Sequence, residues 1–497
     1  GDIDTLVQWI RYLPANPDPS RIALQLNLAW ALAHRFRFSE ARQLLDAIEM
    51  QSAAHGEALA HSAWVKLRVV RAICEAFADN IDRSIAIVEP LLREVPCGDI
   101  WVDGLVCNIL SYCHLADSRP QQALEVQQRV SDVSLANRNL FVTVYRAFVM
   151  AQSYLRQGNL AEAERQAARA LRYAERHAGE NASSGATLAP ILAEIAWEQG
   201  KGEQAQSLLV PRLETIDSFC PPDGLSRSYI VLARQARETG RLAEAESLLL
   251  HAEGLAAQRG WLRAQAPLLA ERIAVALHAG DKQAAEALLL RLQRLSQTES
   301  VGGYIAIGQS RLLIAAGEPL AAARLLDTLA GVRESSGERL FAVRLRLRQA
   351  LALWRAGERE LAMAICRPAL ARALHQGLWR SLLEGREEMA ALLAEIHKRG
   401  AADDALTADI AVLLSRFAAA GIVIDSARPQ PLALRLTERE QQTLSLIADG
   451  YSNKGVAREL GISAETVKWH LKQLYEKLQV KGRIQAVNQA REWRLLG

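Results

Sequence analysis

The sequence is short of the residues that build sheets and staples. Aromatic side chains make up 5% of its 497 residues, and Val and Ile are sparse beside Ala, Leu, Arg, Glu and Gln. That composition favours helices over strands and predicts an all-α fold. The six cysteines (Cys74, Cys97, Cys107, Cys113, Cys220 and Cys366) contain no C-x-x-C pair and no metal-ligand spacing with the ten histidines. A disulfide framework or a zinc site is therefore not expected, and reduced thiols are. No run approaches the roughly 18–20 uninterrupted apolar residues of a membrane span. The acidic Asp2 and Asp4 stand where a secretory leader would be basic. We expect a cytoplasmic protein with no membrane partner. The phosphate-cradling pattern G-x-x-x-x-G-K-[ST] is missing, since Gly200-Lys201-Gly202 lies in a repeat turn without the needed context. No nucleophile–base pair, paired-carboxylate motif or metal spacing stands out, so no catalytic, cofactor or metal residue is assigned and no enzyme is expected.

What the chain has is length, helix formers and a skewed distribution of charge. Half of its residues are apolar, too many for one core, so several packing units are expected. The net charge is only +3, but residues 435–497 hold 11 Lys/Arg against 7 Asp/Glu, while the other 434 residues hold 48 against 49. A nucleic-acid contact would sit in that basic last eighth.

A repeat of about forty residues fills the middle. Glycines recur at Gly158, Gly200, Gly240, Gly280, Gly317 and Gly357, each followed five residues on by an alanine: Ala163, Ala205, Ala245, Ala285, Ala322 and Ala362. Four residues beyond each alanine stands a small or apolar residue: Ala167, Leu209, Leu249, Leu289, Leu326 or Cys366. The glycine suits a left-handed helix C-cap, the alanine admits a close neighbouring helix, and the later residue points into the core. Each unit then reads as a helix hairpin. More degenerate units with the same spacing lie around Phe36 to Ala41, Asn80 to Ile85 and Ser118 to Ala123, giving about nine hairpins from residue 20 to residue 400. Such hairpins stack into a tetratricopeptide-like superhelix whose concave surface serves to bind a peptide, a protein or a small effector. Trp64, Trp101, Trp197, Trp261, Trp354 and Trp379 are read as gap fillers between hairpins, and His114, His251 and His278 as helix-end or surface residues.

The run after Phe417, with Pro429 and Pro431, marks a linker over 421–434 between a superhelix at 1–420 and a small domain at 435–497. In that domain, Thr437 and Glu440 form a capping box ahead of the stripe Leu444, Ile447, Ala448, which stops at Gly450. A second helix runs from about Ser452 and Asn453 through Val456, Ala457 and Leu460 to Gly461. Ser463 caps a third to about Leu478, and a fourth runs from about Arg483 to Trp493. The tight turn Leu460-Gly461-Ile462-Ser463 has the geometry of a helix-turn-helix. In the third helix Val467, Leu471, Leu474 and Leu478 face the core, while Glu465, Lys468, Trp469, Lys472 and Tyr475 form a basic and aromatic outer stripe suited to the major groove. We leave His470 between a phosphate contact and a packing role.

The runs LTEREQQTLSLIADGYSNKGVARELGIS and AETVKWHLKQLYEKLQVKGRIQAVNQA resemble the LuxR-type DNA-binding domain over residues 436–490. The resemblance implies double-stranded DNA as partner, with Thr466, Val467 and Lys468 opening the recognition helix and Lys468, Trp469 and Lys472 approaching base edges. It places Ser463, Thr466 and Asn453 near phosphates, adds Glu465 and Lys454 to the DNA-facing set, and implies pairing of two domains through Ile484, Val487 and Arg491. One position departs from the pattern: Gly455 stands where the family usually has a glutamate that completes a capping box with Ser452. Together with the solenoid and the opening GDIDTLVQWIRYLPAN, the domain resembles the large ATP-binding LuxR regulators of the maltose-regulon activator kind. That resemblance implies an activator that forms a homodimer or higher oligomer on DNA, engages RNA polymerase, and takes a small-molecule or protein effector on its superhelix. It also implies that any ATP would bind to an NTPase module ahead of Gly1, in a longer native protein. The alternative is an interaction scaffold with DNA binding secondary, which protein partners surviving loss of DNA binding would favour.

Overall fold

A computed structural model of the chain describes residues 19–54, 59–95, 97, 99–129, 139–179, 183–295, 299–383, 385–400, 404–419, 438–478, 480 and 482–492, and among these there is no strand. The chain divides into two units, Gly1–Leu382 and Leu383–Gly497.

Among the described residues of the first unit, nine helix hairpins follow one another. They begin with α1 (Pro19–His34) and α2 (Phe38–Ala54), α3 (His61–Phe77) and α4 (Ile81–Val88), and α5 (Ile100–Ala116) and α6 (Pro120–Gln127). Next come α7 (Leu140–Arg156) with α8 (Leu160–Ala178), and α9 (Ser183–Glu198) with α10 (Gly202–Leu209) and α11 (Leu213–Phe219). The last four are α12 (Pro222–Glu238) and α13 (Leu242–Gln258), α14 (Leu262–His278) and α15 (Lys282–Gln293), α16 (Glu299–Ala315) and α17 (Pro319–Ser335), and α18 (Arg339–Arg355) and α19 (Arg359–His375). The short α20 (Trp379–Leu382) follows them. Pro211, in the 3₁₀ turn Val210–Arg212, separates α10 from α11 because it has no N–H to continue the ladder.

The periodic positions do what their spacing predicts. All six repeat glycines adopt positive φ, from 77° to 84°, in the turn inside their hairpins. The six alanines five residues on are fully buried, and Leu209, Leu249 and Leu326 are fully buried four residues later. Leu289 is only half-buried, and the neighbouring Leu288 takes the core position in its place. Enlarging one of these alanines would overpack the seam between helices, at about 1–3 kcal/mol.

The degenerate early hairpins differ from the sequence reading, and the difference explains them. Their left-handed turn residues are Phe36 (φ 59°), Asp79 (φ 67°) and Ser118 (φ 59°), so the second hairpin is registered on Asp79 and Ser84, one residue before the Asn80 and Ile85 expected. Ser84 is buried and donates to the Ala72 carbonyl at 2.8 Å, which lets a small polar residue stand at the alanine position. Each of the three turn residues also makes a contact more than 180 residues away. Phe36 meets the Trp261 ring edge-on at 4.7 Å. Asp79 accepts from Arg263 Nε at 2.5 Å, and Ser118 Oγ accepts from Arg333 Nη1 at 2.8 Å. Where glycine is lost, the left-handed strain, about 1–2 kcal/mol, is offset by a ring contact or hydrogen bond between successive turns of the superhelix. At Gly158 the constraint is reversed, because a Cβ there would lie 2.3 Å from the Gln376 side chain.

Further bonds knit the same seam. Trp261 is completely buried and its Nε1 donates to the Phe77 carbonyl at 2.6 Å, so this tryptophan joins two superhelical turns. Trp197 is buried as well, whereas Trp64 is 40% exposed and lies beside His61 and Arg68. Arg156 donates to Glu338 at 2.8 Å, and Arg344 to Glu194 at 2.9 Å and Glu198 at 2.8 Å. All six cysteines are free and all but Cys97 are buried. Burial pushes the thiols of Cys74, Cys107, Cys113 and Cys366 up to about 12, which makes them packing residues and poor nucleophiles. Among the described residues no helix is long and apolar enough to cross a membrane, and no group of three or more His, Cys, Asp or Glu side chains could hold a metal ion.

The second unit holds α21 (Arg386–Lys398), α22 (Asp404–Ala419), α23 (Glu438–Ala448), α24 (Asn453–Leu460), α25 (Ala464–Leu478) and α26 (Arg483–Glu492). Helices α21 and α22 pack together through a set of fully buried residues that includes Leu393, Ile396, Leu413 and Phe417. The linker expected at 421–434 lies outside the described residues.

Candidate nucleic-acid interface

Four short helices must share one small core, and their apolar residues are spaced to allow it. Leu444 and Ile447 from α23, Val456 and Ala457 from α24, Val467, Leu471 and Leu474 from α25, and Ala486 and Ala490 from α26 form a single buried cluster. Fully burying a Leu or Val side chain contributes about 1.5–3 kcal/mol, so this set can hold four helices of 8 to 15 residues.

The turns are built by local hydrogen bonds. Ser452 caps α24, its Oγ accepting from Gly455 N at 3.2 Å. Gly461 ends α24 in the left-handed region (φ 66°, ψ 34°), and Ile462 N returns to the Ala457 carbonyl at 3.0 Å. This closes the helix in one residue and sends the chain directly into α25. There Ser463 Oγ accepts from Thr466 N at 3.1 Å and lies 2.8 Å from Thr466 Oγ1. The two helices are thus set across a turn of a few residues, with the amino end of α25 open to solvent. Thr437, the expected partner of Glu440 in a capping box, lies outside the described residues, while Glu440 itself is buried.

Sequence reading missed Arg483. Its Nη2 donates to the Ile447 carbonyl at 3.2 Å and to the Tyr451 carbonyl, so the first residue of α26 closes the carboxyl end of α23. Basic residues at helix ends are common, and nothing in the pattern marks this one, because its partners are backbone atoms more than thirty residues away.

The outward face of α25 carries the predicted stripe. Glu465, Thr466, Lys468, Trp469 and Lys472 are all exposed, with the Trp469 indole 59% accessible and edge-on to His470 at 5.0 Å. Lys468 Nζ is 3.1 Å from Glu465. An exposed ion pair of this kind holds its partners weakly, so the ammonium is available to another acceptor. On α24, Lys454 is exposed and Asn453 partly so. Tyr475 departs from the expected stripe: it is partly buried and packs against the core. His470 Nδ1 is buried without a hydrogen-bond partner, so that nitrogen is withdrawn from the surface. On α26, Val487 is partly buried against the core, and the side chains of Ile484 and Arg491 lie outside the described residues. Two lysines and an uncovered indole, on a helix whose amino end is free, give this face the means to meet phosphates and to enter a groove.

Comparisons with known proteins match both parts of the chain. The family described as "MalT-like TPR region" matches residues 65–399, and the family described as "Bacterial regulatory proteins, luxR family" matches residues 434–490. The chain is 51% identical over 57 residues to the HTH-type transcriptional regulator MalT of Serratia proteamaculans, and 53% identical over 55 residues to that of Yersinia pestis. These stretches cover 12% and 11% of this chain and 6% of each regulator. A crystal structure titled as Rap protein complexed with competence and sporulation factor overlaps 81% of this chain and 98% of its own, at a TM-score of 0.39 and 13% identity.

Proposed function

The chain belongs to the MalT-like TPR family and carries a luxR-family regulatory domain, which makes it a DNA-binding transcription regulator, and we propose that it is an activator whose superhelix senses an effector. In this reading residues 1–420 sense, 421–434 link, and 435–497 bind double-stranded DNA as a homodimer or higher oligomer that engages RNA polymerase in the cytoplasm. Lys468, Trp469 and Lys472 approach base edges. Ser463, Thr466, Asn453 and Lys454 lie along phosphates beside Glu465, and Ile484, Val487 and Arg491 pair the domains. The exposed stripe on α25 carries this reading, because its lysines and indole serve no part of the domain's own core. An effector moves the equilibrium only as far as its affinities for the two states differ, and it does so by changing how readily two domains meet on DNA.

The test is a selection from fragmented DNA of the source organism, sequenced, with the chain and with a Lys468→Ala, Lys472→Ala double variant. Enrichment of a few fragments with dyad symmetry, lost in the variant, is expected. Equal enrichment by both proteins would remove α25 as the reading element.

A further inference from the structure

Within the first unit the superhelix forms a half-open cavity of about 200 Å³. It is lined by parts of seven successive hairpins, from Ala116 in the third to Arg348 in the ninth, so one superhelical turn surrounds it. Eight of its lining residues are arginines and four are carboxylates.

The carboxylates are already saturated. Glu271 is met by Arg234 at 3.1 Å, Arg237 at 2.7 Å and Arg311 at 3.6 Å. Asp223 is shared by Arg263 at 3.1 Å and Arg156 at 3.3 Å. Glu194 is held by Arg227 at 2.5 Å and Arg344 at 2.9 Å. Burial alone would raise the pKa of Glu194, but these two guanidiniums outweigh it and bring it down to about 2. A purely structural network tends towards equal numbers, because each unbalanced buried charge is costly. Here the eight wall arginines outnumber the carboxylates even when Asp79 and Glu198, which lie behind the walls on Arg263 and Arg344, are added to the four on the walls. Arginine does not relieve such an excess by losing a proton, as a buried lysine does. Two donors on the lining arginines, Arg227 Nη1 and Arg344 Nε, are buried without a hydrogen-bond partner.

We propose that this cavity is the effector site and that it takes a small organic anion with two acidic groups, carboxylate or phosphate. Guanidinium forks match both groups in bidentate geometry, and Ile230, Ile307 and Phe341 give the cavity an apolar wall for a short carbon skeleton. The site stands on its own geometry. Only its role as effector site rests on the sensing function proposed above. An anion there bridges arginines from hairpins on opposite sides of one superhelical turn and draws them together.

The test uses the 497-residue chain with succinate, citrate, phosphoenolpyruvate, 3-phosphoglycerate and glucose, each by titration calorimetry. At least one of the four anions is expected to bind and glucose is not; binding of the two phosphate-bearing acids without succinate or citrate would mark a phosphate requirement, and binding of succinate would show that carboxylates suffice. Arg344→Met is expected to weaken binding at least tenfold. Because Arg344 also holds Glu194, Ile230→Trp is the second variant; it fills the cavity, leaves every charge in place, and is expected to abolish binding. No binding by any of the four anions, or unchanged binding in Ile230→Trp, would overturn the proposal. DNA retardation with and without the bound anion then separates the two claims: binding with no effect on DNA affinity would refute the effector role and leave the site standing.

Discussion

The superhelix and the terminal domain differ in the cation they use, with four lysines in the first 434 residues against five in the last 63, and they use charge in opposite ways. In the superhelix the charges are turned inward. Glu194, Asp223 and Glu271 are buried among guanidiniums, and bonds such as Arg344–Glu194 and Arg333–Ser118 join residues 150 and 215 apart in sequence. In the terminal domain the core is a cluster of apolar side chains, and Lys454, Lys468 and Lys472 face outward. Exposure of charge, more than its amount, separates a region held together by electrostatics from one that offers electrostatics to a partner. The net +4 of the last 63 residues understates this contrast, since the 434 residues before them are almost neutral while their interior holds a cavity rich in arginine.

Perturbing one region should leave the other unaffected. The largest effect is expected from Glu194→Ala, which strands Arg227, leaves Arg344 with Glu198 alone, and should cost the superhelix about 3–5 kcal/mol. Calorimetry should show its transition falling while that of the terminal domain stays in place. Leu474→Ala is the reciprocal change. It opens a cavity in the small core and should lower the terminal transition by about 2–5 kcal/mol, leaving the superhelix unmoved. A single shared transition in both variants would dissolve the comparison.

The Lys468→Ala, Lys472→Ala variant should leave both transitions within about 0.5 kcal/mol. It should weaken specific DNA binding by roughly 30-fold, about 2 kcal/mol at 1.4 kcal/mol per factor of ten. Anisotropy titration at fixed salt checks this, and a loss below threefold would show that the stripe is only a solvated face.

Acid should act first on the superhelix. His34 Nδ1 donates to the Trp30 carbonyl at 2.9 Å, and the ring packs among Trp30, Phe77 and Phe141. Burial lowers its pKa from 6.5 to about 4, with the bond to Trp30 pulling weakly the other way. As pH falls the unfolded ring takes up its proton first. The stabilisation is therefore complete above about pH 6.5 and is lost between there and pH 4. The loss is on the order of 3 kcal/mol, and His34→Phe should flatten it. Glu194 and Asp223, both held at about 2, add a further loss only below the ordinary carboxylate range.

The smallest effect concerns Gly455. Its substitution by glutamate restores a capping box with Ser452 and removes a helical glycine, together about 1 kcal/mol of stabilisation. A Cβ at this position meets Tyr451 Cδ1 at 3.2 Å, so part of that gain is spent in moving an exposed ring. Thermal melts of Gly455→Glu and Gly455→Ala separate the carboxylate from the loss of glycine.

Local rules made most of this architecture legible in the sequence. The glycine–alanine period placed the hairpins, and Ser452, Gly461 and Ser463 placed the ends of the terminal helices within a residue or two. The outer stripe of α25 was legible because a helix with one apolar face leaves the other for solvent or a partner. What could not be read were contacts between residues far apart in sequence. Ser118 looked like an eroded repeat position and Asp79 was passed over for Asn80, yet Asp79 and Ser118 bond to Arg263 and Arg333 on the next turn. Arg483 looked like an ordinary helix-start cation, and Tyr475 like a surface aromatic. The cavity escaped for the same reason: its arginines come from hairpins spread over nearly 200 residues, and only the winding of the superhelix brings them together.

The most direct test of the account is methylation protection at purine N7 on a fragment recovered by the DNA selection. N7 faces the major groove, where α25 is proposed to lie. Protection at N7 in two half-sites about one helical turn apart, absent with the Lys468→Ala, Lys472→Ala variant, is the predicted result. A bound fragment with every N7 still reactive would place the protein on the backbone or in the minor groove and contradict the central claim.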